Sequence, residues 1–177
     1  QRIALCYLFA SILLHYFKTQ SVLIFSAIAL IGYHIILMVF GDLSLTGNAV
    51  LKLDKFIIGA DHMYHGNGGV AFDPEGLLST LPAIVNVIAG FFTGKFIQKN
   101  GQNFETIAKL IMVSGLLIIA GFAWDLTFPF NKKLWSSSFV LLTIGIDIFI
   151  ISILIYLLDM SKPGKWTYFF EVFGRNT

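Results

Sequence analysis

The sequence predicts an all-α, polytopic integral membrane protein, a single transmembrane bundle of about five helices occupying residues 1–177. Three observations lead there. Hydrophobic residues make up 56% of the chain and charged residues only 12%, and the mean hydropathy is +0.80. The apolar residues are gathered into long blocks, and a run of roughly 18 or more is what a bilayer core of about 30 Å asks of a helix. The blocks show none of the alternation of polar and apolar residues that marks an outer-membrane barrel strand.

Five segments follow from the blocks: Ile3 to Phe17, Val22 to Phe40, Leu77 to Gly94, Ile107 to Trp124 and Phe139 to Leu158. The first contains Cys6, a lone cysteine that excludes an internal disulfide and reads as a small packing group. The chain opens Gln1-Arg2-Ile3 without a charged n-region, so this block does not read as a signal peptide, and the expectation is a piece cut from a longer protein. The second block is apolar but for Ser26, Tyr33 and His34. The third carries Pro82 in its first two turns, where proline is least harmful. Its Gly90 and Gly94 form a small-xxx-small pair that would admit a close helix, or are ordinary membrane-helix glycines. The fourth carries a single charge, Lys109, in its first turn. The fifth holds Asp147 near its centre, where a carboxylate is costly unless paired, protonated or beside water, so it is a candidate for function or for contact with another helix.

Five crossings place the connections alternately on two sides. One side collects Lys18, Lys95, Lys99, Lys109, Lys162, Lys165 and Arg175 against Glu105, Asp159 and Glu171. The other has Arg2, Lys52, Lys55, Lys132 and Lys133 against Asp42, Asp54, Asp61, Asp73, Glu75 and Asp125. The positive-inside rule assigns the first set to the cytoplasm and turns the 41–75 and 125–135 loops outward. The 12 basic residues form no stripe, which argues against nucleic acid as a partner.

The outward loops hold the chemistry. Asp61-His62-Met63-Tyr64-His65-Gly66-Asn67-Gly68-Gly69 joins an acid, two imidazoles and a phenol to turn-forming glycines. His62 and His65 have no matching second ligand pair and no HExxH pattern accompanies them, so no metal is expected. An imidazole beside a carboxylate suits proton transfer instead, although a loop histidine is often merely solvated. Asp73-Pro74-Glu75-Gly76 reads as a helix start, with Asp73 capping and Glu75 facing the helix dipole. The same carboxylates could gather a cationic or polyhydroxylated ligand such as an amino sugar. In the second loop, Asn131 offers an amide to a sugar hydroxyl, Lys132 and Lys133 offer ammonium groups, Ser136 to Ser138 could cap the next helix, and Trp135 reads either as a binding surface or as an interfacial belt residue.

Asp54-Lys55-Phe56-Ile57-Ile58-Gly59-Ala60-Asp61-His62-Met63-Tyr64 and Phe72-Asp73-Pro74-Glu75-Gly76-Leu77-Leu78-Ser79-Thr80 resemble the membrane acetyltransferases of the heparan-α-glucosaminide N-acetyltransferase family and their bacterial relatives. Gln1-Arg2, Asn131-Lys132-Lys133-Leu134-Trp135-Ser136 and Phe173-Gly174-Arg175-Asn176 agree in the same order, so the likeness covers nearly the whole chain. The resemblance implies transfer of acetyl from cytoplasmic acetyl-CoA to the amino group of a glucosamine-type sugar on the far side. It implies Asp61, His62, Asp73 and Glu75 as one wall of a sugar-side pocket, Asn131, Lys132 and Trp135 as the other, and Arg2 as an ion-pair or cofactor-orienting group. Asp61 and His62 are the nearest to catalytic candidates. The bacterial character of the likeness implies an inner membrane with both loops periplasmic.

The family's catalytic histidine lies in a segment before the region equivalent to Arg2, and these 177 residues contain no such segment. The resemblance therefore implies a central fragment, inactive by itself, whose partners are membrane lipid, the amino sugar and further helices of the same protein, with homo-oligomerisation left open. An amino-sugar permease or a non-catalytic membrane scaffold would use the same polar mouth.

Overall fold

In the computed structural model the described residues are 2–66, 69–73, 75–161 and 167–175. Gln1, Asn67, Gly68, Pro74, Lys162, Lys165 and Asn176, all used in the reading above, lie outside them. The chain is an all-α membrane bundle. Its helices are α1 (Arg2–Tyr16), α2 (Thr19–Phe40), α3 (Ala49–Ile57), α4 (Thr80–Asn100), α5 (Phe104–Asp125), α6 (Ser137–Ile155) and α7 (Thr167–Arg175), with a π-helical turn, Tyr156–Met160, prolonging α6.

Four helices, α2, α4, α5 and α6 with its π turn, are long and apolar enough to cross a bilayer; α1 is a shorter apolar helix of 15 residues. At 1.5 Å per residue α1 reaches about 22 Å, less than the roughly 30 Å hydrocarbon core. α5 and α6 form the most extensively packed hairpin, and α4 sits against α1, α2 and α6. The faces turned away from these contacts are apolar: Ile24, Ile28, Ile31 and Ile35 make an exposed stripe on α2, the pattern of a lipid-facing side.

The α5/α6 seam is close because it is built on small residues. A Cβ at Gly145 would lie 2.7 Å from Ile118 Cγ1 and 3.0 Å from the Ser114 carbonyl, and one at Gly121 would lie 3.0 Å from Leu142 N. The Ser114 hydroxyl donates to the Gly145 carbonyl at 2.8 Å across the same seam. Gly90 and Gly94 play no such part, since a Cβ at either meets nothing within 4 Å.

The helix ends depart from the apolar blocks. The third block was expected to open at Leu77 behind an Asp-Pro-Glu start, but α4 begins at Thr80. Asp73 instead accepts the Glu75 N–H at 2.8 Å, closing a local turn. The hydroxyls of Ser79 and Thr80 donate to the Gly76 carbonyl. At its other end α4 continues past Gly94 through the charged stretch to Asn100 and stops at Gly101, whose φ of 75° suits glycine. Asn103 starts α5 by accepting the Thr106 N–H at 2.9 Å.

The 41–75 connection is more ordered than a loop. Asn48 caps α3 through Leu51 N–H at 2.8 Å and donates to the carbonyls of Ser44 and Leu45. Farther on, Ala60–His62 makes one 3₁₀ turn and His65–Gly66 pairs antiparallel with Val70–Ala71. This connection and the one between α5 and α6 lie at the same end of the bundle. Val50, Leu51, Met63 and Phe72 from the first pack with Phe128 and Leu134 from the second, over Tyr33 and Leu37 of α2.

Replacing Gly145 by alanine overfills the α5/α6 seam and is expected to cost about 1–3 kcal/mol. Gly115→Ala, where a Cβ meets nothing within 4 Å, should be neutral or slightly stabilising. Thermal unfolding in detergent that lowered both variants alike would contradict this packing.

Candidate functional site

The end of the bundle that carries both connections is knitted by three buried or half-buried polar groups. Trp135 takes a left-handed backbone conformation, φ 57°, that a bulky side chain adopts only when its surroundings hold it there. Its indole lies under the Arg2 guanidinium, 5.0 Å from carbon to ring centroid, and makes a T-shaped contact with Phe139, with ring centroids 5.4 Å apart. Its Nε1–H donates to Asn86 Oδ1 at 3.1 Å, and Asn86 Nδ2 donates to Thr143 Oγ1 at 3.2 Å. Arg2 also donates to the Ser79 hydroxyl. The first residues of α1, the start of α4 and the start of α6 thus meet on one aromatic ring. Trp135 is half-buried and hydrogen-bonded inside the bundle.

Asp54 is the second group. It lies on the inner face of α3 with Val50 and Leu51 and is only 1% exposed. Its Oδ1 accepts the Leu77 N–H at 3.0 Å, which ties α3 to the approach to α4. Its Oδ2 has no hydrogen-bond partner among the described residues, and it faces Gly76 so closely that a Cβ there would overlap the carboxylate. Burial raises the Asp54 pKa above its ordinary value and nearby Asp73 adds to this, against the opposing effects of the Leu77 N–H and Arg2. Tyr33 completes the group by donating its hydroxyl to the Leu134 carbonyl.

Asp73 is half-buried and Glu75 exposed, and both lie within electrostatic reach of Arg2. Arg2, Asp73, Glu75 and Trp135 therefore belong to one neighbourhood. Asn131 is committed to the turn: its side-chain oxygen accepts from Lys133 N at 3.0 Å and Leu134 N at 3.1 Å. Lys132 is exposed beside it. Asp61 and His62 are exposed on the 3₁₀ turn after Gly59, at the outer rim. Among the described residues no group of three or more His, Cys, Asp or Glu is placed to hold a metal ion.

The three serines anchor rather than cap. Ser136 Oγ accepts from Asn131 N at 3.0 Å, Ser137 donates to the Leu30 carbonyl at 2.7 Å, and Ser138 donates to the Phe128 carbonyl at 2.5 Å. Asp54, Tyr33, Ser79 and Asn86 are the members that sequence reasoning left out. For Asp54 the signal was present: Asn48 is a helix cap, and Val50, Leu51 and Asp54 fall on one helical face.

The chain is similar to the heparan-alpha-glucosaminide N-acetyltransferases of Homo sapiens and of Mus musculus, in each case at 30% identity covering 69% of this chain and 20% of the relative. The chain thus spans about a fifth of the length of the curated relatives it matches, and the likeness supports a distant family relationship. No family model matches the chain.

Asp54 is held above its unfolded pKa, so its contribution opposes folding once the pH exceeds the unfolded value and grows until the folded pKa is passed. The detergent-solubilised protein should lose thermal stability as the pH rises above about 4, the ordinary aspartate value. Asp54→Asn keeps an acceptor for Leu77 N–H and should flatten that slope. An unchanged slope in the variant would show that the carboxylate is not the titrating group.

Proposed function

We propose that the chain forms the acceptor-binding end of a membrane N-acetyltransferase that moves acetyl from cytoplasmic acetyl-CoA to the amino group of a glucosamine-type sugar on the opposite side. The observation that carries this reading is the convergence on Trp135. Arg2, the Asp73–Glu75 turn and the Asn131–Ser136 turn, far apart in sequence, meet at one end of the bundle in a chain distantly related to proteins of that name.

The chemistry suits the groups. A sugar ammonium must be bound, lose one proton to solvent and attack the thioester carbonyl; the amide C–N bond forms as the C–S bond breaks, and the departing CoA thiolate takes the amine's second proton and leaves as the thiol. Glu75 and Asp73 hold the ammonium, the exposed edge of Trp135 and the Lys132 side of the turn border the sugar, and Asp61 and His62 line the approach. Asn131 shapes this wall by holding its turn. Arg2 orients Trp135 and balances the carboxylates. At the opposite end Lys18, Lys95, Lys99 and Lys109 supply positive charge, which supports a cytoplasmic placement and suits the phosphates of acetyl-CoA. The loop-bearing end then faces the periplasm of a bacterial inner membrane.

The test is acetyl transfer from labelled acetyl-CoA to glucosamine by native membranes containing the chain together with the sequence that flanks it in its natural reading frame. Glu75→Gln removes a charge-assisted contact of about 1.5–3 kcal/mol, so kcat/KM for the sugar should fall roughly 10- to 100-fold with the KM for acetyl-CoA unchanged. Normal transfer by Glu75→Gln would remove this residue from the site, and uptake of labelled sugar without acetylation would replace the transferase by a permease.

A further inference from the structure

Asp147 lies eleven residues into the 19-residue α6, with about 15 Å of helix between it and the loop-bearing end. It is exposed on a groove between α4 and α6 that encloses about 160 Å³, lined by Asn86, Gly90, Thr93, Gly94, Asp147 and Ile151 among others. A carboxylate at this depth is costly to leave facing lipid. No basic group among the described residues answers it. On α4, Lys95 lies with its ammonium 5.9 Å from the Phe91 ring, and residues 91 and 95 fall on the face of that helix opposite Gly90 and Thr93. On α5, Lys109 pairs with Glu105 at 2.6 Å. On α2, His34 accepts from Trp124 Nε1 at 3.1 Å and stacks on Phe128.

The groove has the relief of a helix seat as well as its charge. Gly90 and Gly94 present open space within 4 Å, whereas the glycines that join α5 to α6 are in full contact. Close backbone approach at small residues is how transmembrane helices associate when lipid gives them no hydrophobic drive. A two-fold pairing of copies through this seat is disfavoured, because it would set Asp147 against Asp147.

We propose that the α4/α6 groove seats a further transmembrane helix, distinct from those described, which carries a lysine, arginine or histidine opposite Asp147. This inference is independent of the acetyl-transfer reading, since it concerns assembly and not the loop-bearing end.

The experiment places a photoreactive benzoylphenylalanine at Ile151, on the groove wall, in the protein in its native membranes. Crosslinking should yield a peptide from an apolar segment of about 18 or more residues that contains a basic residue. The yield should fall at least tenfold in Asp147→Asn and survive in Asp147→Glu. An adduct to lipid alone, to residues 1–177 of another copy, to a helix without a basic residue, or no adduct at all, overturns the proposal, as does a yield indifferent to Asp147→Asn. A second readout needs no variant of Asp147. Dicyclohexylcarbodiimide attacks protonated carboxyls in apolar surroundings, so the paired Asp147 should resist it; an N-acylurea at Asp147 in native membranes would overturn the seat.

Discussion

The loop-bearing end depends on the ring of Trp135. Holding a bulky residue in the left-handed region costs about 1–2 kcal/mol, and here the cost is met by three contacts to one side chain: Arg2 over a face, Phe139 in a T-shaped pair and Asn86 at the indole nitrogen. Those contacts come from α1, α6 and α4. The backbone turn at Trp135 sets the direction in which α6 leaves, and its indole fixes where α1 and α4 begin relative to α6. Loss of the ring would release three helix starts at once, whereas loss of Arg2 would leave the Asn86 bond in place.

Lipid cannot hydrogen-bond a peptide group, and the irregular backbone between α5 and α6 meets that constraint with side chains. Tyr33 and Ser138 donate to the carbonyls of Leu134 and Phe128, and Asn131 accepts from two N–H groups of its own turn, while Ser137 ties the start of α6 to the Leu30 carbonyl of α2. Groups that looked available for a ligand in the bare sequence are therefore occupied by the architecture. The side chains of the two connections that keep an exposed or half-exposed surface are chiefly Glu75, Asp73 and Lys132, with Asp61 and His62 on the 3₁₀ turn, and the proposed acceptor site draws on these.

The apolar blocks made the membrane class and the order of the long helices legible, because lipid imposes length and composition on each segment independently of its neighbours. The helix ends were less legible. Past Gly94 the residues turn polar, yet α4 continues to Asn100 since Lys95, Lys99 and their neighbours are competent helix formers beyond the apolar core. α3 escaped notice because nine residues with Lys52 and Lys55 on the outer side resemble a solvated loop until the buried run of Val50, Leu51 and Asp54 is set on a helical wheel. Gly90 and Gly94 were conspicuous by spacing, but the close seam formed at Gly121 and Gly145, which have no such spacing within one helix. Complementarity between helices is a property of pairs, and a single sequence lists only one member at a time.

Asp54 and Asp147 show how the same residue type acquires different meanings at different depths. Asp54 is enclosed by α3 and the approach to α4, bonded through one oxygen to Leu77 and within reach of Arg2, so its burial is a property of this fold and its effect is local. Asp147 is not enclosed, and nothing in the helices that pack against α6 is placed to enclose it. A carboxylate that the fold has surrounded reports on stability and on the shape of the site beside it. One that the fold leaves in a membrane groove bordered by open glycines reports on what the bundle is built to receive. The polar seam that runs from Arg2 through Trp135, Asn86 and Thr143 towards Asp147 therefore joins the surface of the loop-bearing end to the α4/α6 groove, and the two proposals above concern its opposite ends.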